Sequence, residues 1–260
     1  SAPGSAAPEP RRTIGPAAHW CYQVRVQQVT PANAATPGNH FWSIADMMED
    51  GDDIWMDRIG RNPNGALYKI YDSLSSSSSA EKKTRTFEGK SDLDALIAAL
   101  NVSNTLAARR QYAYDNLDLP QCVSYFVGCI VTSHQDHGHK NFYMYRDTPG
   151  TREWAALPWD VDLTWGREWL DASGYFTDTI FTNNELDMYN AAQQGKGENR
   201  LYSLIVGNSD VPRAPATEFR NMVLRRMRTV IDGYLSASGV LENRFAQLAD
   251  LFGPPTIGGS

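Results

Sequence analysis

The sequence predicts an α+β fold, because some segments repeat apolar residues at helical spacing whereas others alternate apolar and polar residues as strands do. Residues 119–131 have a broad apolar face, with Asp118 as a helix cap and Pro120 in the first turn. Residues 141–146 alternate like a strand, a Pro-Gly turn follows, and residues 154–157 return as a second strand. A buried helix, a polar loop and a β-hairpin therefore follow one another along the chain.

Strand patterns also occur nearer the N-terminus. Residues 20–28 alternate as a strand, residues 40–45 are its expected antiparallel partner, and residues 66–71 form a third strand that contains Lys69. The acidic segment that begins at Asp46 is expected to be a solvated turn and helix start. An exposed, mobile loop is expected at Ser73 to Ser79 and residues 81–83.

Further helices are predicted on both sides of the central segment. Ser91 is expected to cap the first of them, with Asp94 in the third position of a capping box. In the last two, the apolar residues repeat on one face, as in an amphipathic helix. The predicted helices cover residues 91–100, 104–116, 199–207, 216–235 and 240–252.

The composition limits the class of partner. A chain of 260 residues that is 42% hydrophobic can bury a substantial core in one domain or in two lobes. Its net charge of -6, with no long basic run, argues against a nucleic-acid partner, and no apolar run approaches the length of a membrane span. Cys122 and Cys129 lie two turns apart on one helix, so free thiols are favoured; a disulfide from Cys21 to either one stays open.

The polar residues around the predicted hairpin suggest a cation site. Asp136 and Asn141 precede the hairpin, whereas Asp160 and Asp162 follow it, and the two ends of a hairpin meet. Carboxylate and amide oxygens suit Mg²⁺, which leaves its other positions to water and phosphates. An Asp followed five residues later by Asn is also the spacing of the protein-kinase catalytic loop.

These motifs resemble the spore-coat CotH kinase-like family of atypical, often secreted, protein kinases. The resemblance covers most of residues 20–252. It is carried by Asp136-His-Gly-His-Lys-Asn141-Phe-Tyr-Met-Tyr145, Leu157-Pro-Trp-Asp-Val-Asp-Leu-Thr-Trp-Gly166, Asn64-Gly-Ala-Leu-Tyr-Lys69 and Arg225-Arg-Met-Arg-Thr-Val-Ile-Asp232. By this resemblance the fold is an atypical protein-kinase-like fold, mainly the helical C-terminal lobe with part of the N-terminal lobe sheet.

The resemblance implies specific roles for the acidic and amide residues. Asp136 would be the catalytic base, Asn141 and Asp160 would hold Mg²⁺ or Mn²⁺, and Asp162 would support them. The reaction would be phosphoryl transfer from ATP to a Ser or Thr of a protein substrate. The protein would be extracellular or lie at the cell surface.

Two lysines and one further carboxylate complete the predicted site. Lys69 would neutralise phosphate charge from its strand, and Lys140 would steady the transferred phosphate. Asp46 would pair with a lysine of the nucleotide site, either Lys69 or the upstream lysine that the family usually carries. Residues 1–17 are expected to be a flexible lead-in, residues 18–252 the kinase-like domain, and residues 253–260 a tail.

The chain also departs from the family pattern. Family members usually carry an upstream Arg-Gly-Asn-Ser-Ser-like strand motif and a phosphate-binding Lys, and neither occurs here. We therefore expect an N-terminally truncated domain, and a kinase-like scaffold without catalysis is one alternative. A second alternative is a metal-dependent hydrolase in which Zn²⁺ is held by Asp136 and the cluster His134, His137 and His139.

Overall fold

A computed structural model describes residues 18–32, 34, 41–132, 134, 140–161, 164, 199–207 and 216–252. Over these residues, helices and antiparallel sheets are mixed, which confirms the α+β prediction. The predicted residues 1–17, 253–260, Asp136, His137, His139 and Asp162 lie outside the described residues.

The first sheet is a two-stranded hairpin of β1 (Cys21–Gln27) and β2 (Phe41–Met48). The predicted antiparallel pairing is confirmed, but β2 runs to Met48, which pairs with Cys21. Asp46 therefore lies inside this strand and not at a helix start. Both faces of the hairpin leave large side chains exposed, among them Trp42 at 65% and Met47 at 57%.

The second sheet carries the predicted central hairpin. Its strands are β3 (Ala66–Ile70), β4 (Glu81–Lys82), β5 (Phe142–Arg146) and β6 (Trp154–Pro158), in the antiparallel order β4-β3-β5-β6. Successive side chains point to opposite faces of a strand. One face, with Tyr68 and Met144, packs on the main helical core, and the other, with Leu67 and Tyr143, packs on a smaller core around α1 (Asp53–Arg58). The sheet is thus buried on both sides.

The helices follow the predicted pattern closely. They are α2 (Ser91–Ala99), α3 (Leu106–Asn116), α4 (Leu119–Val131), α5 (Arg200–Ile205), α6 (Thr217–Val230) and α7 (Val240–Phe252). The apolar face of α4 packs between α6 and β6, and α6 continues into a π-helical turn at Ile231–Leu235. Cys122 and Cys129 are buried free thiols of α4, and burial raises the pKa of the Cys122 thiol to about 12.

The N-terminus of α4 is fixed by two interactions of one carboxylate. Asp118 accepts a hydrogen bond from the Gln121 backbone N–H as the predicted cap. The same side chain accepts from the guanidinium of Arg61 at 3.3 Å, and Arg61 is buried. Asp118 therefore joins the end of the α1 region to the central helix.

Two local predictions were wrong, whereas the serine-rich run is irregular and mostly exposed, as predicted, and is held by the buried Leu74 and by a hydrogen bond from Ser77 to Asp94. Residues 81 and 82 are not loop but strand β4. Lys90, not Ser91, occupies the cap position of α2, and it makes no side-chain capping bond. A strand of two residues is too short to show an alternating pattern, and a helix cap without a side-chain hydrogen bond has no characteristic residue type.

None of the helices within the described ranges is long and apolar enough to cross a membrane.

Replacing Asp118 by Ala should lower the free energy of unfolding by about 2 kcal/mol, because the cap is lost and the buried Arg61 loses its anionic partner. Urea denaturation measures this change. The control is Asp115→Ala at an exposed position of α3, where the carboxylate accepts from Gln111 and, within the described residues, from no other side chain; it should stay within about 0.5 kcal/mol of wild type. Equal losses in the two variants would contradict the link between Asp118 and Arg61.

Candidate active site

Three of the predicted site residues, Lys69, Asn141 and Asp160, lie near one end of the four-stranded sheet. Phe142 pairs with Ile70 on β3 and with Pro158 on β6. One residue further, Asn141 donates its backbone N–H to the Ile70 carbonyl at 3.1 Å. Asn141 and Trp159 therefore stand at the open end of the hairpin, and Asp160 follows directly. The prediction that the ends of the hairpin bring Asn141 and Asp160 together is confirmed by this register.

Asn141 and Asp160 share an uncommon backbone conformation. Their φ angles are 60° and 52°, in the left-handed region that most side chains avoid and that Asn and Asp tolerate best. Asn141 is 7% exposed, whereas Asp160 is exposed to solvent. Such backbone conformations cluster at functional sites, where surrounding structure holds them in place. Here they place one buried amide and one exposed carboxylate at the same edge.

Lys69 lies on the α1 face of the sheet, beside this edge. Its ammonium nitrogen is 4.6 Å from the centre of the Trp159 ring and 5.0 Å from that of Tyr71. Within the described part of the chain it makes these ring contacts and no ion pair. Lys82 and Lys83 differ, because both lie next to carboxylates of neighbouring residues. The charge of Lys69 is thus held in place without being neutralised.

Aromatic rings form a connected cluster around Trp159, which we call the ring cluster and define as His19, Trp55, Tyr143 and Trp159. The ring of Tyr143 meets that of Trp159 edge-on, with 5.4 Å between the ring centroids, and its centroid lies 5.5 Å from that of Trp55. The His19 imidazole stacks on the Trp55 ring with 4.3 Å between the ring centroids, and its centroid lies 4.9 Å from that of Trp159. Burial raises the pKa of the Tyr143 hydroxyl, so this residue acts as an uncharged ring. A Cβ at Gly51 would overlap that hydroxyl, which explains the glycine before α1.

The predicted partner of the lysine is placed elsewhere. Asp46 is exposed on β2 opposite Gln23 and makes no ion pair with Lys69, so of its two expected partners Lys69 was wrong. The carboxylates of this segment that do form ion pairs include Glu49, which binds Arg58 of α1, and Asp50, which binds Lys83. Lys140 is half-buried immediately before Asn141, at the entrance of β5.

The described residues fit a hard cation better than a transition metal. Asn141 and Asp160 offer oxygen atoms at one edge, the donor type that Mg²⁺ prefers. Among the residues that the structure describes, no group of three His, Cys, Asp or Glu side chains could hold a metal ion. His134 is buried, and its backbone N–H donates to the Cys129 carbonyl. The other proposed Zn²⁺ ligands, Asp136, His137 and His139, lie outside the described residues, so the hydrolase alternative stays a prediction.

A comparison with known protein families matches residues 42–256 to the CotH kinase protein family. Because the match spans most of the chain, the protein belongs to the CotH kinase family, and its function is kinase-like. A search of the curated proteins gave no match. The matched region contains Lys69, Asn141 and Asp160, whereas β1 and His19 precede it.

Sequence reasoning missed the ring cluster. Trp159 was noted only as part of the motif Leu157–Gly166, and His19 was not singled out at all. The alternating pattern of β5 and β6 could have revealed two members of the ring cluster. Once the strand pairing is known, Tyr143 and Trp159 fall on the same face of the sheet as Lys69. No local pattern marks His19, since its contacts are distant in sequence.

The positive φ of Asp160 predicts a difference between two substitutions that both remove its carboxylate. Asp160→Gly should be more stable than Asp160→Ala by roughly 0.5–1 kcal/mol, because a Cβ is strained in this backbone region whereas glycine is not. Urea denaturation of the two variants provides the measurement. An alanine variant as stable as the glycine variant would show that the residue leaves the left-handed region in solution.

Proposed function

We propose that this protein transfers the terminal phosphoryl group of ATP to a Ser or Thr hydroxyl of a protein substrate. The observation that carries this proposal is the meeting of Lys69, Asn141 and Asp160 at one end of the sheet, inside the region matched to the CotH kinase family. A cation, an amide and a carboxylate are the groups that bind a metal–nucleotide complex.

Each residue has a distinct task in this proposal. Asp136 accepts the proton of the Ser or Thr hydroxyl. As it does so, the hydroxyl oxygen bonds to the γ-phosphorus of ATP, and the bond between that phosphorus and the ADP oxygen breaks. Asn141 and Asp160 hold Mg²⁺ or Mn²⁺, and Asp162 supports them. The bound cation would neutralise phosphate charge.

The two lysines act on the phosphates. Lys69 suits this task because the rings of Trp159 and Tyr71 hold its ammonium while leaving its charge available. Lys140, next to Asn141, steadies the phosphoryl group during transfer. Transfer of this kind depends mainly on positioning and charge neutralisation, so few further groups are needed. As part of the same proposal, the protein acts outside the cell or at its surface, as the family resemblance suggests.

Two substitutions should separate catalysis from binding. Asp136→Asn should leave binding of Mg²⁺ and ATP nearly unchanged and slow transfer by about 10²–10⁴-fold, the usual contribution of a positioned base. Asp160→Asn should weaken binding itself. Calorimetry measures binding, and transfer of radiolabelled phosphate from ATP to protein measures catalysis. Binding of ATP without transfer by the wild-type protein, tested on substrates rich in Ser and Thr, would favour the scaffold alternative.

Replacing Lys69 by Met tests the phosphate contact. Methionine retains most of the side-chain volume and removes the charge, so affinity for Mg²⁺–ATP should fall about tenfold or more, whereas affinity for adenosine should not change. The control is Lys83→Met, because Lys83 is already paired with Asp50 and Glu81. An equal loss of ATP affinity in both variants would indicate a general charge effect and contradict a specific role of Lys69.

A further inference from the structure

A short segment ahead of the family domain docks beside the candidate site. The backbone of Trp20 pairs with Glu49 through the Glu49 N–H, which donates to the Trp20 carbonyl at 2.8 Å. The Glu49 carboxylate accepts from the Trp20 N–H at 3.0 Å and forms an ion pair with Arg58. Arg58 also donates to the Ala18 carbonyl at 2.7 Å, and its guanidinium lies 4.6 Å from the centre of the Trp20 ring. Residues 18–20 are thereby tied to α1.

The docking places His19 inside the ring cluster. Its Nδ1 lies 3.0 Å from the Glu49 carbonyl, which can only accept, so Nδ1 carries a proton. The imidazole lies nearly parallel to Trp55, at 14°, and close to perpendicular to Trp159, at 76°. Trp159 is thus contacted by His19, by Tyr143 and by the Lys69 ammonium.

We infer that His19, which lies outside the family domain, is a positioning residue that holds the Trp159 ring against the Lys69 ammonium. In this way it raises the affinity of the site for phosphate. This inference rests on the proposed function. Without the imidazole, the half-buried Trp159 ring loses one of its packing partners and gains freedom to rotate. The Lys69 charge then loses the fixed surface that keeps it beside Asn141 and Asp160.

The position of His19 also makes the effect dependent on pH. Burial lowers the pKa of the His19 imidazole, and Arg58 acts in the same direction; the hydrogen bond to the Glu49 carbonyl and the charges of Glu49 and Asp50 oppose this. Because the folded-state pKa is lowered, docking is strongest when the imidazole is neutral. It weakens as pH falls below about 6.5, where an undocked imidazole takes up a proton.

The experiment compares His19→Ala, His19→Phe and the control Tyr22→Ala by calorimetry with Mg²⁺–ATP at about pH 7.5. The alanine variant should bind roughly two- to tenfold more weakly, the range expected for loss of one aromatic contact. The phenylalanine variant keeps a ring and should retain most of the affinity. Tyr22, an exposed residue of β1, should have no effect.

A double-mutant cycle separates positioning from general stability. In a Lys69→Met background, His19→Ala should cause no further loss of ATP affinity, because the imidazole acts through that lysine. The pH profile gives a second measure: wild-type affinity should fall relative to His19→Phe by roughly two- to tenfold between about pH 7.5 and 5.5. The comparison with the phenylalanine variant at each pH cancels the protonation of ATP itself.

The outcomes that overturn the inference are distinct from those that overturn the proposed function. If the wild-type protein binds ATP through Lys69 but His19→Ala has no effect, or has the same effect without Lys69, the role of His19 is wrong and the proposed function stands. If the wild-type protein binds no ATP, the proposed function and the role of His19 are both wrong. Docking itself is tested by an NMR titration of the His19 imidazole, which should show a pKa below that of a histidine in the unfolded chain; a value at or above it would also overturn the inference.

Discussion

The antiparallel register of β3, β5 and β6 is the constraint on which the candidate site depends. Side chains alternate between two buried faces, so a slip of one residue in β3 would exchange Lys69 with Tyr68 or Ile70. That slip would carry an ammonium group into the main helical core, which is costly for an unpaired charge. The apolar residues on both faces therefore fix the position of the single lysine of β3, and the same register fixes Asn141 on β5.

How far the sequence predicted this arrangement depended on the strength of each local signal. Helix α4 combines a long apolar face with the Asp118 cap and Pro120, and its predicted bounds agree with the structure. The hairpin of β5 and β6 was equally clear because two alternating runs flank a Pro-Gly turn. The prediction that Asn141 and Asp160 lie at the same end of the sheet needed only the hairpin, because the two residues precede and follow its paired strands.

The wrong predictions arose where tertiary contacts outweigh local pattern. Asp46 was expected beside a lysine, but β2 continues past it to Met48 and keeps it on an exposed hairpin. Strand β4 has two residues, too few for any periodicity, and forms because β3 offers it an edge. The place of His19 depends on Trp55 and Trp159, which lie 36 and 140 residues further along the chain. Contacts of this kind carry no sequence spacing that could reveal them.

The way in which Lys69 is held shows how an acidic protein can fix a cation in place without a carboxylate partner. A carboxylate partner would fix the ammonium but also cancel its field, as Asp50 and Glu81 do for Lys83. An aromatic face attracts a cation through its quadrupole and leaves the net charge in place. Excluding water from the ring side strengthens the remaining interaction with an anion that approaches from the open side. This solution has a structural consequence: the lysine is only as well placed as the Trp159 ring, and that ring depends on packing partners from β5 and from the segment before β1. If Lys69 binds phosphate as proposed, the affinity of the site therefore depends partly on residues that lie away from the nucleotide.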